Sequence, residues 1–316
     1  MRKLNIKNKL CIYLDQYVVS NLISCPNSIW VTIREQLENK HTSNKIYCPL
    51  STAHFIETVK KTIDNAKTHD EYFRTLSDNL LFKDEPFLTA QLISSLIRKY
   101  NNTTKTYLEY IELRNIESFY KVLNEKNRIF ENSVNSAVDL SNQIRRVSVA
   151  KIEKELEYTL FNTIKTNTVQ NFVARLREYL EKGEMRIRPD IIGTYSFPNW
   201  IDQLLYQLTV RHKFDKKLFS LLLSELETNG FNNIQTLNTK FSLYAHIAVK
   251  QKQESVSDHI DVMRISNGLI ISDVLFTDKR RKHEIQELNL DKKYNTKIFS
   301  GVENDLREFI EYIEEI

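Results

Sequence analysis

Asp258-His259-Ile260-Asp261-Val262-Met263-Arg264-Ile265-Ser266-Asn267-Gly268-Leu269-Ile270-Ile271-Ser272-Asp273-Val274-Leu275-Phe276-Thr277-Asp278 is the stretch on which the fold turns. Ile260, Met263, Ile265 and Leu269 recur at helical spacing, so residues 258–269 read as an amphipathic helix, with Gly268 as its stop. Val274-Leu275-Phe276-Thr277 is short, apolar and rich in residues that favour strands, which predicts a buried strand. Asp278 stands where that strand ends. Ligands of open α/β sheets bind outside the carboxyl ends of the strands, so Asp278 is a candidate metal ligand. The residues alone read equally well in a plainer way, with Asp258 as a helix N-cap and Asp278 as a turn residue.

The same pattern occurs near the other end of the chain. Leu10-Cys11-Ile12-Tyr13-Leu14 is apolar and closes on Asp15. If the two strands run parallel and adjacent, Asp15 and Asp278 share one sheet edge. Residues 16–22 and 28–39 read as helices, and Lys45-Ile46-Tyr47-Cys48-Pro49 as a strand ended by its proline. Ser51 is a plausible N-cap for the helix that follows. His54 lies one turn onward and Glu57 three residues beyond it, so these two share a face. An exposed helical glutamate is the plainer alternative for Glu57.

Composition bounds the rest. With 316 residues, 5 glycines and 5 prolines, the chain has few breakers and should be largely helical. A formal net charge of +4 permits a polyanionic partner without requiring one. Cys11, Cys25 and Cys48 lack metal-ligand spacing and read as thiols of a reducing compartment. No apolar run is long enough for a membrane span and the amino-terminal segment lacks a signal-peptide core, so a cytoplasmic protein with no membrane partner is expected. Residues 66–254 read as helix after helix: 87–100, 107–123, 149–164, 172–180, and a long helix or hairpin over 200–226. Gly183 and residues 188–198 form the main break. No phosphate-binding glycine loop, Gly-x-Ser-x-Gly elbow or His-Glu-x-x-His helix occurs. Beyond Asp278 come the basic run Lys279-Arg280-Arg281-Lys282-His283, a helix over 284–290, a strand over 296–300 and a helix over 302–316.

Ile12-Tyr13-Leu14-Asp15, Pro49-Leu50-Ser51-Thr52-Ala53-His54-Phe55-Ile56-Glu57, and Asp258-x-x-Asp261 leading to Phe276-Thr277-Asp278 together resemble the PIN-domain nucleases and their larger PIN-like relatives. That family orders an Asp after the first strand, a Glu on a following helix, an Asp opening a later helix and an Asp closing the next strand. The resemblance covers residues 8–65 and 255–302. It implies an α/β fold, a small parallel sheet flanked by helices, predominantly helical overall because of a large all-helical insertion. The domain parts are then 1–65, 66–254 and 255–316. Two departures stand out. PIN domains lack so long a helical stretch between the second and third acids, and Asp258 and Asp261 both fit the helix position. Asp273 precedes its strand and belongs at the opposite end.

The resemblance further implies a metal-dependent nuclease holding Mg²⁺ or Mn²⁺ on Asp15, Glu57, Asp258, Asp261 and Asp278. Such a carboxylate cluster needs a cation, because its charges otherwise repel. Substrate contacts are expected from Ser51, His54, Lys279, Arg280, Arg281 and Lys282, with Arg186, Arg188, Arg211, Lys213, Lys216 and Lys217 extending the surface. For His54, a packed core histidine fits the residues equally well. The basic run equally fits a solvated helix face. The expected substrate is nucleic acid, RNA before DNA, in a defence or growth-arrest setting. A DNA nuclease or nickase and a catalytically inactive nucleic-acid-binding or scaffold protein are the alternatives. A homo-oligomer or a regulatory protein partner stays open.

Overall fold

The computed structural model describes residues 8–102, 104–110, 116, 120–147, 153–185, 200–250 and 253–316. Arg186, Arg188 and the 188–198 break lie outside them, as do parts of the helices expected over 107–123 and 149–164. In chain order the elements are β1 (Leu10–Tyr13), α1 (Gln16–Ser24), α2 (Ser28–Thr42), β2 (Ile46–Tyr47), α3 (Thr52–Thr58), α4 (Ile63–Ser77), β3 (Leu80–Phe82), α5 (Glu85–Arg98), α6 (Thr104–Tyr107) and β4 (Leu108–Tyr110). There follow α7 (Tyr120–Val147), α8 (Lys154–Lys182), α9 (Trp200–Val210), α10 (Lys216–Asn229), α11 (Gln235–Val249) and α12 (Val256–Ile271). The last are β5 (Val274–Phe276), α13 (Lys279–Glu287), α14 (Leu290–Tyr294), β6 (Lys297–Phe299) and α15 (Glu303–Glu314). No described helix is long and apolar enough to cross a membrane.

The chain divides into two compact units. The first comprises Met1–Lys83, Tyr107–Arg128 and Asn267–Ile316, the second Asp84–Thr106 and Ile129–Ser266. The first therefore runs past the boundary drawn from sequence at residue 65. The reason is packing: Phe73 and Leu76 of α4 and Leu81 of β3 share a core with Val19, Leu22 and Leu50.

In the first unit a parallel four-stranded sheet runs in the order β2-β1-β5-β6. Its strands are apolar at nearly every position because helices cover both faces of a parallel sheet. Ile12, Leu14, Val274 and Phe276 pack with Ile33, Leu37, Phe309 and Ile313 from α2 and α15. On the other face Tyr13 meets Phe82 edge to face at 5.0 Å. Asp273 does sit at the amino end of β5, where its carboxylate accepts the Cys11 N–H at 2.8 Å. Burial pushes the Cys11 thiol up to about 12, so it stays protonated and unreactive.

Two sequence expectations fail in this unit. Residues 108–110 are strand β4, antiparallel to β3, within the helix expected over 107–123. Leu80-Leu81-Phe82 is too short to register against the helical periodicity around it. Gly268 does not stop a helix either, since α12 continues to Ile271. A Cβ at position 268 would meet the Tyr13 ring at 2.9 Å, so this glycine allows the helix to lie against the ring. The terminating contact comes from Thr296, whose Oγ1 is 2.8 Å from the Leu269 carbonyl oxygen and 3.0 Å from that of Ser272.

The second unit is helical. Phe172, Leu176, Leu205, Leu208, Phe219, Leu222 and Phe231 form its core. The helices expected over 149–164 and 172–180 belong to one helix, α8, and residues 200–226 form the hairpin α9–α10. Lys213 at the turn takes a left-handed φ of 50°, and Asp215 caps α10 through the Leu218 N–H at 2.9 Å. Arg175–Asp202 and Lys240–Glu85 are buried ion pairs at 2.6 and 2.7 Å.

Candidate functional site

The sheet register organises the site. Ile12 pairs with Val274 and Tyr13 with Leu275 in parallel. Carried two residues further, that register sets Asp15 beside Thr277, one position short of Asp278. Each carboxylate also caps the helix it opens. Asp15 accepts from the Tyr17 N–H at 3.4 Å and Asp278 from the Arg281 N–H at 3.0 Å. The amino ends of α1 and α13 thus both face this edge, and their partial positive charge offsets some of the carboxylate repulsion. Asp15 is buried at 4% exposure, and Asp278 is half-buried.

Helix α3 brings in the next residues. The Ser51 backbone N–H donates to His54 Nδ1 at 3.0 Å, so that nitrogen carries no proton. The proton sits on Nε2, which donates to the Leu14 carbonyl oxygen at 2.7 Å. Ser51 Oγ lies 2.6 Å from the Tyr13 hydroxyl. The His54 ring packs between Tyr13 and Phe73, with centroids at 5.1 and 4.5 Å. Ser51 and His54, expected as substrate contacts, are buried, and their polar atoms hold the end of β1. Of the two roles left open for His54, the packed core histidine fits this geometry. Glu57 is half-buried in the last turn of α3. The next residue, Thr58, accepts from Gln16 Nε2 at 3.2 Å, which ties the end of α3 to the residue after Asp15.

Two residues beside the aspartates carry buried oxygens with no partner among the described residues: Gln16 Oε1 and Thr277 Oγ1. Other buried side-chain atoms among the described residues, such as Ser94 Oγ and Thr239 Oγ1, are in the same state, and a water can satisfy each. Carboxylate, amide and hydroxyl oxygens are the hard donors that Mg²⁺ and Mn²⁺ prefer, so the residue types fit such an ion. Among the described residues, no three His, Cys, Asp or Glu side chains converge on one point. An ion held here would keep several of its waters, as Mg²⁺ commonly does.

Asp258 and Asp261 belong to the second unit. Asp258 Oδ2 accepts the Ser255 N–H at 2.7 Å while the Asp258 N–H donates to Ser255 Oγ at 3.2 Å. That is a reciprocal capping box, with Ser255 as the N-cap in place of Asp258. Asp261 pairs with Arg264, which is buried at 4% exposure.

The basic run needs the largest correction. Its four cations do not form one free surface. Arg281 is 1% exposed and pairs with Glu284, itself fully buried, and Arg280 reaches the same carboxylate at 3.1 Å. Lys282 pairs with Asp305 at 2.8 Å. Burial by itself would raise the Asp305 carboxyl, but the hydrogen bond and charge of Lys282, together with Ser300, hold it below the ordinary value. Only Lys279 and Arg280 of the four are exposed. The one-turn spacing of Arg280 and Glu284, and the three-residue spacing of Arg281 and Glu284, were the sequence signals for this internal pairing.

Gln16, Tyr17 and Thr277 were not singled out from sequence, though each adjoins or lies near a candidate acid. In the structure Tyr17 donates its hydroxyl proton to the Thr277 carbonyl oxygen at 2.8 Å. Comparison of the chain with protein-family models finds no match, and comparison with curated proteins and with solved structures finds none either.

Proposed function

We propose that the protein is a metal-dependent PIN-like nuclease that hydrolyses phosphodiester bonds, with RNA as its substrate, in defence or growth arrest. One observation carries this: β1 and β5 are adjacent and parallel, and each closes on an aspartate at the same edge. Asp15 and Asp278, with Glu57, are the residues that would hold Mg²⁺ or Mn²⁺. Such an ion, when bound, supplies charge stabilisation at phosphorus and lowers the pKa of a bound water.

The chain's own residues do the rest. His54 and Ser51 fix the end of β1, so Asp15 is presented from rigid backbone. Asp278 is held by its cap on α13. Lys279 and Arg280 stand exposed next to it and supply positive charge for a phosphate backbone, which positions nucleic acid without reading its sequence.

The test is incubation of the purified protein with labelled RNA and labelled DNA, with Mg²⁺, Mn²⁺ or EDTA. Metal-dependent RNA cleavage that Asp15→Asn abolishes is the expected result. Cleavage of DNA alone would reassign the substrate. No cleavage of either polymer under any condition would leave a binding or scaffold protein.

A further inference from the structure

We propose that Tyr17 is a positioning residue for the metal site, its hydroxyl setting the spacing between the strand ends that carry Asp15 and Asp278. This rests on the nuclease reading above. Tyr17 follows Asp15 by two residues, in the first turn of the helix that Asp15 caps. Its hydroxyl donates to the carbonyl of Thr277, the residue before Asp278, at 2.8 Å. One side chain thus runs from the chain segment of the first aspartate to that of the second.

The direction of the bond matters. The Thr277 N–H donates to the Phe299 carbonyl oxygen at 3.0 Å, so residue 277 faces β6. In a parallel strand the N–H and C=O of one residue point to the same side. The Thr277 carbonyl therefore also faces the β6 side, just past the end of that strand, and the Tyr17 hydroxyl reaches it there from α1. The slot is kept open by Gly301, where a Cβ would lie 3.3 Å from Tyr17 Cε2 and 3.7 Å from its hydroxyl oxygen. No positive φ requires a glycine at 301; the ring is what favours it, since a Cβ would make the ring give by a few tenths of an ångström.

A hydrogen bond at this place fixes how far the end of β5 stands from the end of β1. Groups that orient metal ligands from behind typically change metal affinity by about 10–100-fold when removed. Tyr17→Phe keeps the ring and removes only the hydroxyl. Gly301→Ala keeps the hydroxyl and crowds the ring.

The experiment measures Mn²⁺ binding by calorimetry for the parent, Tyr17→Phe, Gly301→Ala and Asp15→Asn, with melting in EDTA and cleavage at rising Mn²⁺ alongside. The expected result is a Kd for Mn²⁺ raised about tenfold in Tyr17→Phe. Gly301→Ala should move it in the same direction, and saturating Mn²⁺ should restore kcat in both. A Tyr17→Phe Kd within about twofold of the parent, where Asp15→Asn has lost binding, overturns the positioning role and leaves the nuclease reading standing. A parent that binds no Mn²⁺ overturns both.

Discussion

His54 Nε2 lies 2.7 Å from the Leu14 carbonyl oxygen, so a buried side chain of α3 holds the residue just before Asp15. His54→Ala removes this bond, the capping box with Ser51 and a ring packed against Tyr13 and Phe73. It should cost about 2–4 kcal/mol in urea unfolding. A loss under about 0.5 kcal/mol would mean the end of β1 does not depend on it.

Gly268→Ala sets helix propensity against sterics. Alanine gains about 1 kcal/mol in a helix interior. Here its Cβ would lie 2.9 Å from a Tyr13 ring that is fully buried, with its hydroxyl held by Ser51. Sterics should win, with a net loss of about 1–3 kcal/mol. Tyr13→Leu in the same chain should relieve much of that loss. An alanine variant that melts higher than the parent would show that α12 shifts freely off the sheet.

Asp15→Asn keeps the cap, because asparagine is as good an N-cap as aspartate. In EDTA the variant should be as stable as the parent or more so, since it carries one fewer repelling charge. The parent should gain about 2.7 kcal/mol when Mg²⁺ or Mn²⁺ is at roughly 100 Kd, and the variant should lose most of that gain. Melting temperatures with and without metal decide it. Full metal stabilisation in the variant would make Asp15 a structural residue only.

Within the basic run, neighbouring positions should behave oppositely. Arg281→Ala removes the buried partner of the Glu284 carboxylate and should cost about 3–5 kcal/mol. Lys279→Ala should change stability by about 0.5 kcal/mol or less, and the double variant with Arg280→Ala by more, since Arg280 also pairs with the buried Glu284. The double variant should also flatten the salt dependence of RNA binding, by no more than two phosphate contacts. Salt titrations that match the parent would leave the exposed pair as ordinary solvated charge.

His69 makes one face of the first unit acid-sensitive. Its Nδ1 lies 2.8 Å from the Asn65 carbonyl oxygen and its Nε2 3.0 Å from Ser20 Oγ. Burial lowers its pKa from the ordinary 6.5, the Asn65 hydrogen bond pulls it back, and the charge of Lys61 lowers it further. Between the folded and unfolded values the unfolded chain holds more protons. Stability is therefore intact above 6.5 and declines as pH falls below it toward the folded value. His69→Gln should be less stable than the parent by about 1 kcal/mol at pH 7.5, from weakened hydrogen bonding. The gap should narrow toward pH 5.5. A constant gap across that range would show that His69 does not titrate on unfolding.

The parallel sheet was legible because its strands are short apolar runs, two of which lead to an aspartate, and Leu10–Tyr13, Val274–Phe276 and Lys297–Phe299 fall where the runs predict. Strands β3 and β4 were not legible, since three residues give too little alternation to compete with helical periodicity on either side. Gly268 misled because a glycine placed for close packing looks, in sequence, like one placed to end a helix. At the site, charge was legible but pairing was not. Asp15 and Asp278 stand out as carboxylates after apolar runs, whereas Tyr17 owes its place to a contact with residue 277 far along the chain. The basic run failed only partly for that reason: the pairing of Lys282 with Asp305 depends on tertiary structure, whereas the spacing to Glu284 already signalled that of Arg280 and Arg281.

The adjacency of β1 and β5 also bears on synthesis. Ile12 has to wait for Val274, 262 positions later (274 − 12 = 262), before their ladder can form. At about 5–20 residues per second, that wait is roughly 13–50 s on the ribosome. Until then β1 lacks its central neighbour, and Asp15 has no second strand end beside it. A chain not yet extended past Asp278 therefore lacks the paired edge altogether. On the proposed nuclease reading, the activity would arise only after residue 278 had emerged, with time for an inhibitor to be made or to bind first.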